Sequence, residues 1–348
     1  MSVQEVADPA ALYPPTVTPP LAPQKTVEFL FTFVRNPLLT LPAAAYRQPM
    51  VVHRPTSRIK VAWICDPDTI EDILVDKQGR FQKNFIERRV LGPVLGEGVL
   101  IAEGASWRWQ RRAIAPLMRA GDIASYVPAM TQAALEQVAR WRLAREGTTL
   151  HVDRAMVDLT FAIIARTMLT GGEPAESDTI KREGEQFVSR TSWELAYTLL
   201  RLPSWLPHPD KLRSRRAARR VRDAVLAIVR RRRAQSEQTN DLLGRLLRAQ
   251  DPETGQKMND TQIVDNLTTL LAAGHETTAK ALTWSLYLLA RAPEWQQRAR
   301  DEVVDLVGDG PIEAHHIDQM PVIERLLKES MRLYPPVIVI ARTPTEPV

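Results

Sequence analysis

The stretch 261–291, TQIVDNLTTLLAAGHETTAKALTWSLYLLAR, decides how the rest of the chain is read. It far exceeds the usual globular helix of about 11–12 residues. Its middle is apolar on most sides, which predicts a helix running through a core rather than over a surface. Yet the midpoint reads Ala273-Gly274-His275-Glu276-Thr277-Thr278, where glycine costs about 1 kcal/mol relative to alanine and threonine is a poor helix former. Glycine removes bulk so that a flat ligand or a diatomic can approach the backbone, and a threonine hydroxyl can bond a carbonyl one turn back and loosen the helix. A distorted pocket is expected there. An acid beside an alcohol in such a pocket can relay protons, as reductive splitting of an O–O bond requires. The competing reading is a glycine that lets two helices pack, next to a solvated glutamate.

His275-Glu276 also opens like a zinc-hydrolase motif, but that motif needs a second histidine four residues on. Position 279 is alanine, so His275 is read as structural or as a supporting group. Two further constellations flank the long helix. Glu329-Ser330-Met331-Arg332-Leu333-Tyr334-Pro335-Pro336 puts Glu329 and Arg332 on one helical face and then stops the helix with prolines. Alone, such a pair is common on surface helices. Trp107-Arg108-Trp109-Gln110-Arg111-Arg112 puts Trp107 and Arg111 one turn apart, an indole N–H and a guanidinium that suit a carboxylate beside an apolar plate. A basic helix with a buried tryptophan would look the same.

In this order the three motifs resemble those of cytochrome P450 enzymes: W-x-x-x-R, then [AG]-G-x-[DE]-T-[TS], then E-x-x-R with L-x-P-P. The resemblance spans residues 50–348. It implies a mainly α, cytochrome P450 fold, helix-rich with a small β region near the N-terminus and incomplete at the C-terminus. A proline-rich arm over 1–24 would precede a partial P450 domain over 25–348. Heme would be the cofactor, with Trp107, Arg111 and, at the position of a further propionate partner, Arg342 on its acidic edges. Ala273 and Gly274 would border the distal face, Glu276 and Thr277 would deliver protons to dioxygen, and Glu329 with Arg332 would lock the core. A strand over 337–341 would line the cavity for a lipophilic substrate. Electrons would come from an external ferredoxin or flavin-containing reductase.

One departure is large. The family's F-x-x-G-x-x-x-C-x-G loop, whose cysteine thiolate holds the iron, does not occur in this sequence. No metal ligand is therefore assigned. Cys65, at the end of an expected strand, is read as a small core residue. The thiolate favours O–O cleavage, so these residues alone are expected neither to hold heme natively nor to turn over substrate, and the long helix should expose apolar surface.

Bulk properties agree with a folded globular protein. Of 348 residues, 44% are hydrophobic and 25% charged, enough for a sizeable core. A single cysteine excludes an internal disulfide and any multi-thiolate zinc cluster. The apolar run 27–34 is too short to span a bilayer, and the start lacks a signal peptide's positive charge. A cytoplasmic protein with no transmembrane segment is expected. Residues 211–233 carry eleven Lys or Arg against one acid, Asp223. Such a stripe could meet nucleic acid or an anionic membrane. A solvated helix with Val221, Val225 and Ile228 turned inward is the preferred alternative, so no nucleic acid is expected. A non-catalytic helical protein that binds a lipophile, a partner or nucleic acid remains the rival. Elsewhere the periodicity predicts a hairpin over 50–64 turning at Arg54-Pro55-Thr56-Ser57, and a short helix opened by Asp66-Pro67. Longer helices are expected over 107–117, 123–145, 152–169, 180–200, 212–235, 241–249, 261–291, 294–307 and 322–333.

Overall fold

The computed structural model describes residues 15–346 apart from 23, 57–58, 77, 170–171, 236–240 and 252. Of the arm expected over 1–24, residues 1–14 and 23 lie outside the described residues, and 15–22 form neither helix nor strand. Helices dominate. In chain order they are α1 (Thr26–Arg35), α2 (Pro67–Leu74), α3 (Phe85–Leu95), α4 (Gly104–Ile114), α5 (Ala120–Ala124), α6 (Val127–Arg142) and α7 (Val152–Met168). There follow α8 (Pro174–Val188), α9 (Thr191–Leu199), α10 (Lys211–Ala234), α11 (Leu242–Arg248), α12 (Asp260–Arg291), α13 (Pro293–Val307) and α14 (Pro321–Leu333). Strands β1 (Met50–Thr56) and β2 (Ile59–Ile64) form one antiparallel pair, and β3 (Phe81–Lys83) and β4 (Arg342–Pro344) form another.

The chain divides into two compact units. The first contains Arg108–Ser177 and Val225–Val339. Its axis is α12, which packs along α7 and, further on, against α13 and α14. Ala133, Met156, Leu159 and Ala279 form a buried cluster there, with Trp141, Ile163, Leu282 and Leu286 around it. The start of α12 is fixed by reciprocal bonds: the Gln262 amide donates to Asn259 at 2.9 Å and the Asn259 amide donates to Gln262 at 3.0 Å. Such a cap contributes about 1 kcal/mol. From Ile263 to Leu271 every residue except Leu270 is buried, as a core helix requires.

The second unit contains Pro15–Trp107, Asp178–Ala224 and Ile340–Val348. Phe29 of α1, Ile59 of β2 and Leu199 of α9 form its buried cluster. The hairpin pairs Met50 with Ile64 and His53 with Val61. Asp66 caps α2 as its sequence predicts, accepting the Thr69 amide at 2.9 Å with Pro67 at the first helical position.

Four expectations need correction. β1 does not turn at Arg54 but runs to Thr56, with a register irregularity between His53 and Thr56. Pro55 has no N–H to give the ladder, and the strand absorbs it as an irregularity instead; Ser57 lies outside the described residues. The helix expected over 180–200 is two helices, α8 and α9. At the break the Ser189 and Thr191 hydroxyls donate to the carbonyls of Gln186 and Val188, offering the backbone a local alternative to the helix. Residues 337–341 make no strand, since no neighbour pairs with them, and pairing begins only at Arg342. Cys65 is exposed rather than in the core, because it lies just past the end of β2; its thiol donates to the Ala45 carbonyl at 3.0 Å.

Candidate active site

The two sides of α12 differ. Towards α7, a Cβ on Gly274 would come within 3.3 Å of Ile164 Cδ1, so the absent side chain lets the two helices approach. The His275 ring nitrogen lies 3.2 Å from the Val157 carbonyl, Thr160 Oγ1 donates to the His275 carbonyl at 3.0 Å, and Phe161 meets the imidazole edge-on. His275 is thus structural. Ala273, Glu276, Thr277 and Lys280 lie on the opposite arc of the helix. Ala273, Glu276 and Lys280 are exposed and Thr277 is half-buried. Thr277 Oγ1 donates to the Ala273 carbonyl one turn back at 2.5 Å. The bond expected from the sequence is therefore present, while α12 stays helical through the whole span.

Trp107 and Arg111 occupy one side of α4 and both are exposed. Arg112, one residue on, reaches the carboxylate of Asp251 at 3.0 Å and that of Glu253 at 3.1 Å. Burial would push the Asp251 carboxyl up, but the Glu253 amide and Arg112 outweigh it and hold it below the ordinary range. Nothing in the W-x-x-x-R spacing signals this neighbour.

Arg342 stands on β4 directly opposite Lys83 on β3. The ammonium of Lys83 lies 5.8 Å from the centre of the Trp107 ring. Two residues assigned to the same role, 235 positions apart in the sequence, thus meet at one lysine that the sequence did not single out. Burial, followed by the charge of Arg342, lowers the Lys83 ammonium to about 8. Burial raises the nearby Glu87 carboxyl, against the pull of Arg342 and Lys83. A cavity of about 180 Å³ is lined there by Gln82, Lys83, Glu87, Ile101 and Thr343 among others.

Glu329 and Arg332 pair as their spacing predicts, with two bonds of 2.7 Å, on an exposed face of α14. The helix ends at Leu333, and Tyr334 stacks on Trp284 of α12 with ring centres 3.8 Å apart. On α10, Val221, Val225 and Ile228 are buried as expected. Several of its arginines are used internally: Arg220 pairs with Glu183, Arg231 with Glu176, Arg232 with Asp241 and Arg233 with Asp260. This favours a structural helix over a nucleic-acid stripe.

These features define a helix-rich protein with an alanine and a threonine on the open side of its central helix, and with an exposed indole and arginine one turn apart on α4. The family model for cytochrome P450 matches residues 46–348. The chain is 30% identical over 277 residues to cyclooctat-9-en-7-ol 5-monooxygenase of Streptomyces melanosporofaciens, covering 78% of this chain and 58% of the relative. It is 30% identical over 311 residues to human cytochrome P450 4F8, covering 82% and 59%. It is 32% identical over 253 residues to the bifunctional cytochrome P450/NADPH–P450 reductase ALT2 of Alternaria alternata, covering 70% and 23%. The fold matches the crystal structure of the cytochrome P450DA heme domain with a TM-score of 0.74 at 24% identity, over 90% of this chain and 70% of that one. The chain belongs to the cytochrome P450 family. It spans under two thirds of the length of these curated relatives.

Heme is the cofactor of this family. The chemistry of the residues present does not conflict with it: α12 carries an alanine and a hydroxyl on its open arc, and α4 carries an exposed indole and an exposed guanidinium. The donor set lacks the thiolate, because Cys65 is the one cysteine in the sequence. Among the described residues no cluster of three or more His, Cys, Asp or Glu could hold a metal ion, and no helix is long and apolar enough to cross a membrane.

Proposed function

We propose that the protein is a heme-dependent monooxygenase that places one oxygen atom of O2 into a lipophilic organic substrate. The observation that carries this reading is the Thr277–Ala273 bond beside exposed Glu276, on the arc of α12 turned away from α7. Heme, when bound, supplies the iron at which dioxygen is reductively split. Trp107, Arg111 and Arg342 hold its carboxylates, Ala273 leaves room at the backbone while Gly274 keeps α12 close to α7, and Glu276 with Thr277 holds and passes protons. Glu329 and Arg332 lock the core near the heme in the complete domain, the pair being exposed in these residues. The apolar residues 337–341 border the substrate. The reading takes 25–348 as one partial domain after the arm 1–24, and the unbroken family match from residue 46 onward supports this.

The relative named as a monooxygenase supports the reaction class, and the relative named for both a P450 and its reductase supports an electron source of that kind. Electrons come from a separate ferredoxin or flavin-containing reductase, and the protein works in the cytoplasm. Residues 1–348 by themselves offer iron no thiolate in the family's context and are inactive alone. Reduction under carbon monoxide tests both statements. The chain alone should lack the thiolate-type Soret band, and the chain extended by the family's cysteine loop should show it. A thiolate band from the chain alone overturns the inactivity, and its absence from the extended protein overturns the function.

A further inference from the structure

Lys83 makes more polar contacts to the lead-in of α4 than any spacing motif predicts. Its ammonium donates to the carbonyls of Val99 and Ala102, each at 2.7 Å, and its own backbone amide donates to the Glu103 carboxylate at 2.7 Å. Through these three bonds β3 grips both ends of the segment 99–103, and α4 begins at the next residue, Gly104. The same ammonium faces the Trp107 ring, close enough for a cation–π attraction. The place is half-buried, where losing a bonded partner costs more than it does in open water.

We infer that Lys83 is the positioning residue of the heme edge: it fastens the segment 99–103 to β3 and so fixes Trp107 in place. The inference rests on the reading of Trp107 as a heme-carboxylate partner. Lys83 itself touches no reacting atom. The charged groups around it are Arg342 on β4, Glu103 on the segment it holds, and Glu87 and Arg88 on α3. Burial already disfavours the ammonium. An uncharged chain of similar length would avoid that cost but could not hold two carbonyls. Loss of charge near pH 8 should therefore be felt at the indole.

The whole chain carrying 5-fluorotryptophan tests this by fluorine NMR, with Trp107→Phe identifying one of the eight tryptophan signals. In the unmodified chain the Trp107 signal should move with a midpoint at about pH 8. Lys83→Met should abolish that step and speed amide exchange over 99–107 on the order of tenfold or more, with other signals unchanged. Lys83→Arg should keep the slow exchange and show no step, since a guanidinium holds the carbonyls but does not titrate there. Unchanged exchange and an unchanged Trp107 signal in Lys83→Met would overturn the inference, whatever the carbon monoxide test gives. If the signal moves as expected but the extended protein shows no thiolate band, the reading of Trp107 has failed and the heme edge goes with it.

Discussion

Two arginine–glutamate pairs show opposite relations between legibility and effect. Glu329 and Arg332 are three residues apart, make two good bonds and stay exposed. Arg89 and Glu194 are 105 residues apart and mostly buried. Arg89 Nε donates to Glu194 at 2.6 Å and Nη1 donates to the Leu202 carbonyl at 2.5 Å, while buried His208 lies 2.9 Å from the other carboxylate oxygen. The first pair is spelled out in the sequence, yet solvent screens it and each partner is well hydrated without the other. The second ties α3 to α9 and to the loop after it, and losing one partner strands the others in a poorly solvated place. Motif strength in a sequence measures spacing, and stability follows burial.

Glu194→Gln should break this contrast most visibly, with a loss of about 3 kcal/mol by urea unfolding. Burial raises the Glu194 carboxyl, but Arg89 and His208 outweigh it, so its folded value lies below the ordinary 4.5. Its contribution is thus fully present above pH 4.5 and is lost as pH falls through the folded value. The acid limb of a stability profile should accordingly flatten in the variant. An unaltered limb would show that the cluster does not act as drawn.

A second, smaller effect separates the two sides of α12. Gly274→Val should cost about 2 kcal/mol by crowding Ile164. Ala273→Val, one residue away on the exposed arc, should change stability by less than about 0.5 kcal/mol. Equal costs would mean that the arcs do not differ. The smallest effect is expected for Glu329→Gln, which should leave the unfolding midpoint of this chain unchanged within error; a clear shift would give that motif an energetic part in these residues.

Much of the fold was legible because local physics dictates it. The length and cap signals of α12, the Asp66–Pro67 start of α2 and the inward stripe of α10 all appear where periodicity and capping rules put them. The misses depend on partners distant in sequence. Residues 337–341 read as a strand by composition, but a strand exists only with a neighbour to pair with. Cys65 looked like core because its type usually is, although the end of β2 leaves it outside. For the candidate site, spacing anticipated the Thr277–Ala273 bond and the Glu329–Arg332 pair. Spacing also marked Gly274, but only coordinates show that its missing side chain is turned towards α7. Lys83 was invisible because its role comes from bonds to residues 99–103, 16 to 20 positions on, which no local spacing rule reports.

The Thr277 hydroxyl has a single hydrogen, and the Ala273 carbonyl takes it. What the side chain then offers outward is lone pairs alone. A water or an O–H group arriving there is welcomed as a donor, whereas a bare anionic oxygen is turned away until that hydrogen is released. The polarity of one short bond thus sorts which protonation state can settle beside the helix.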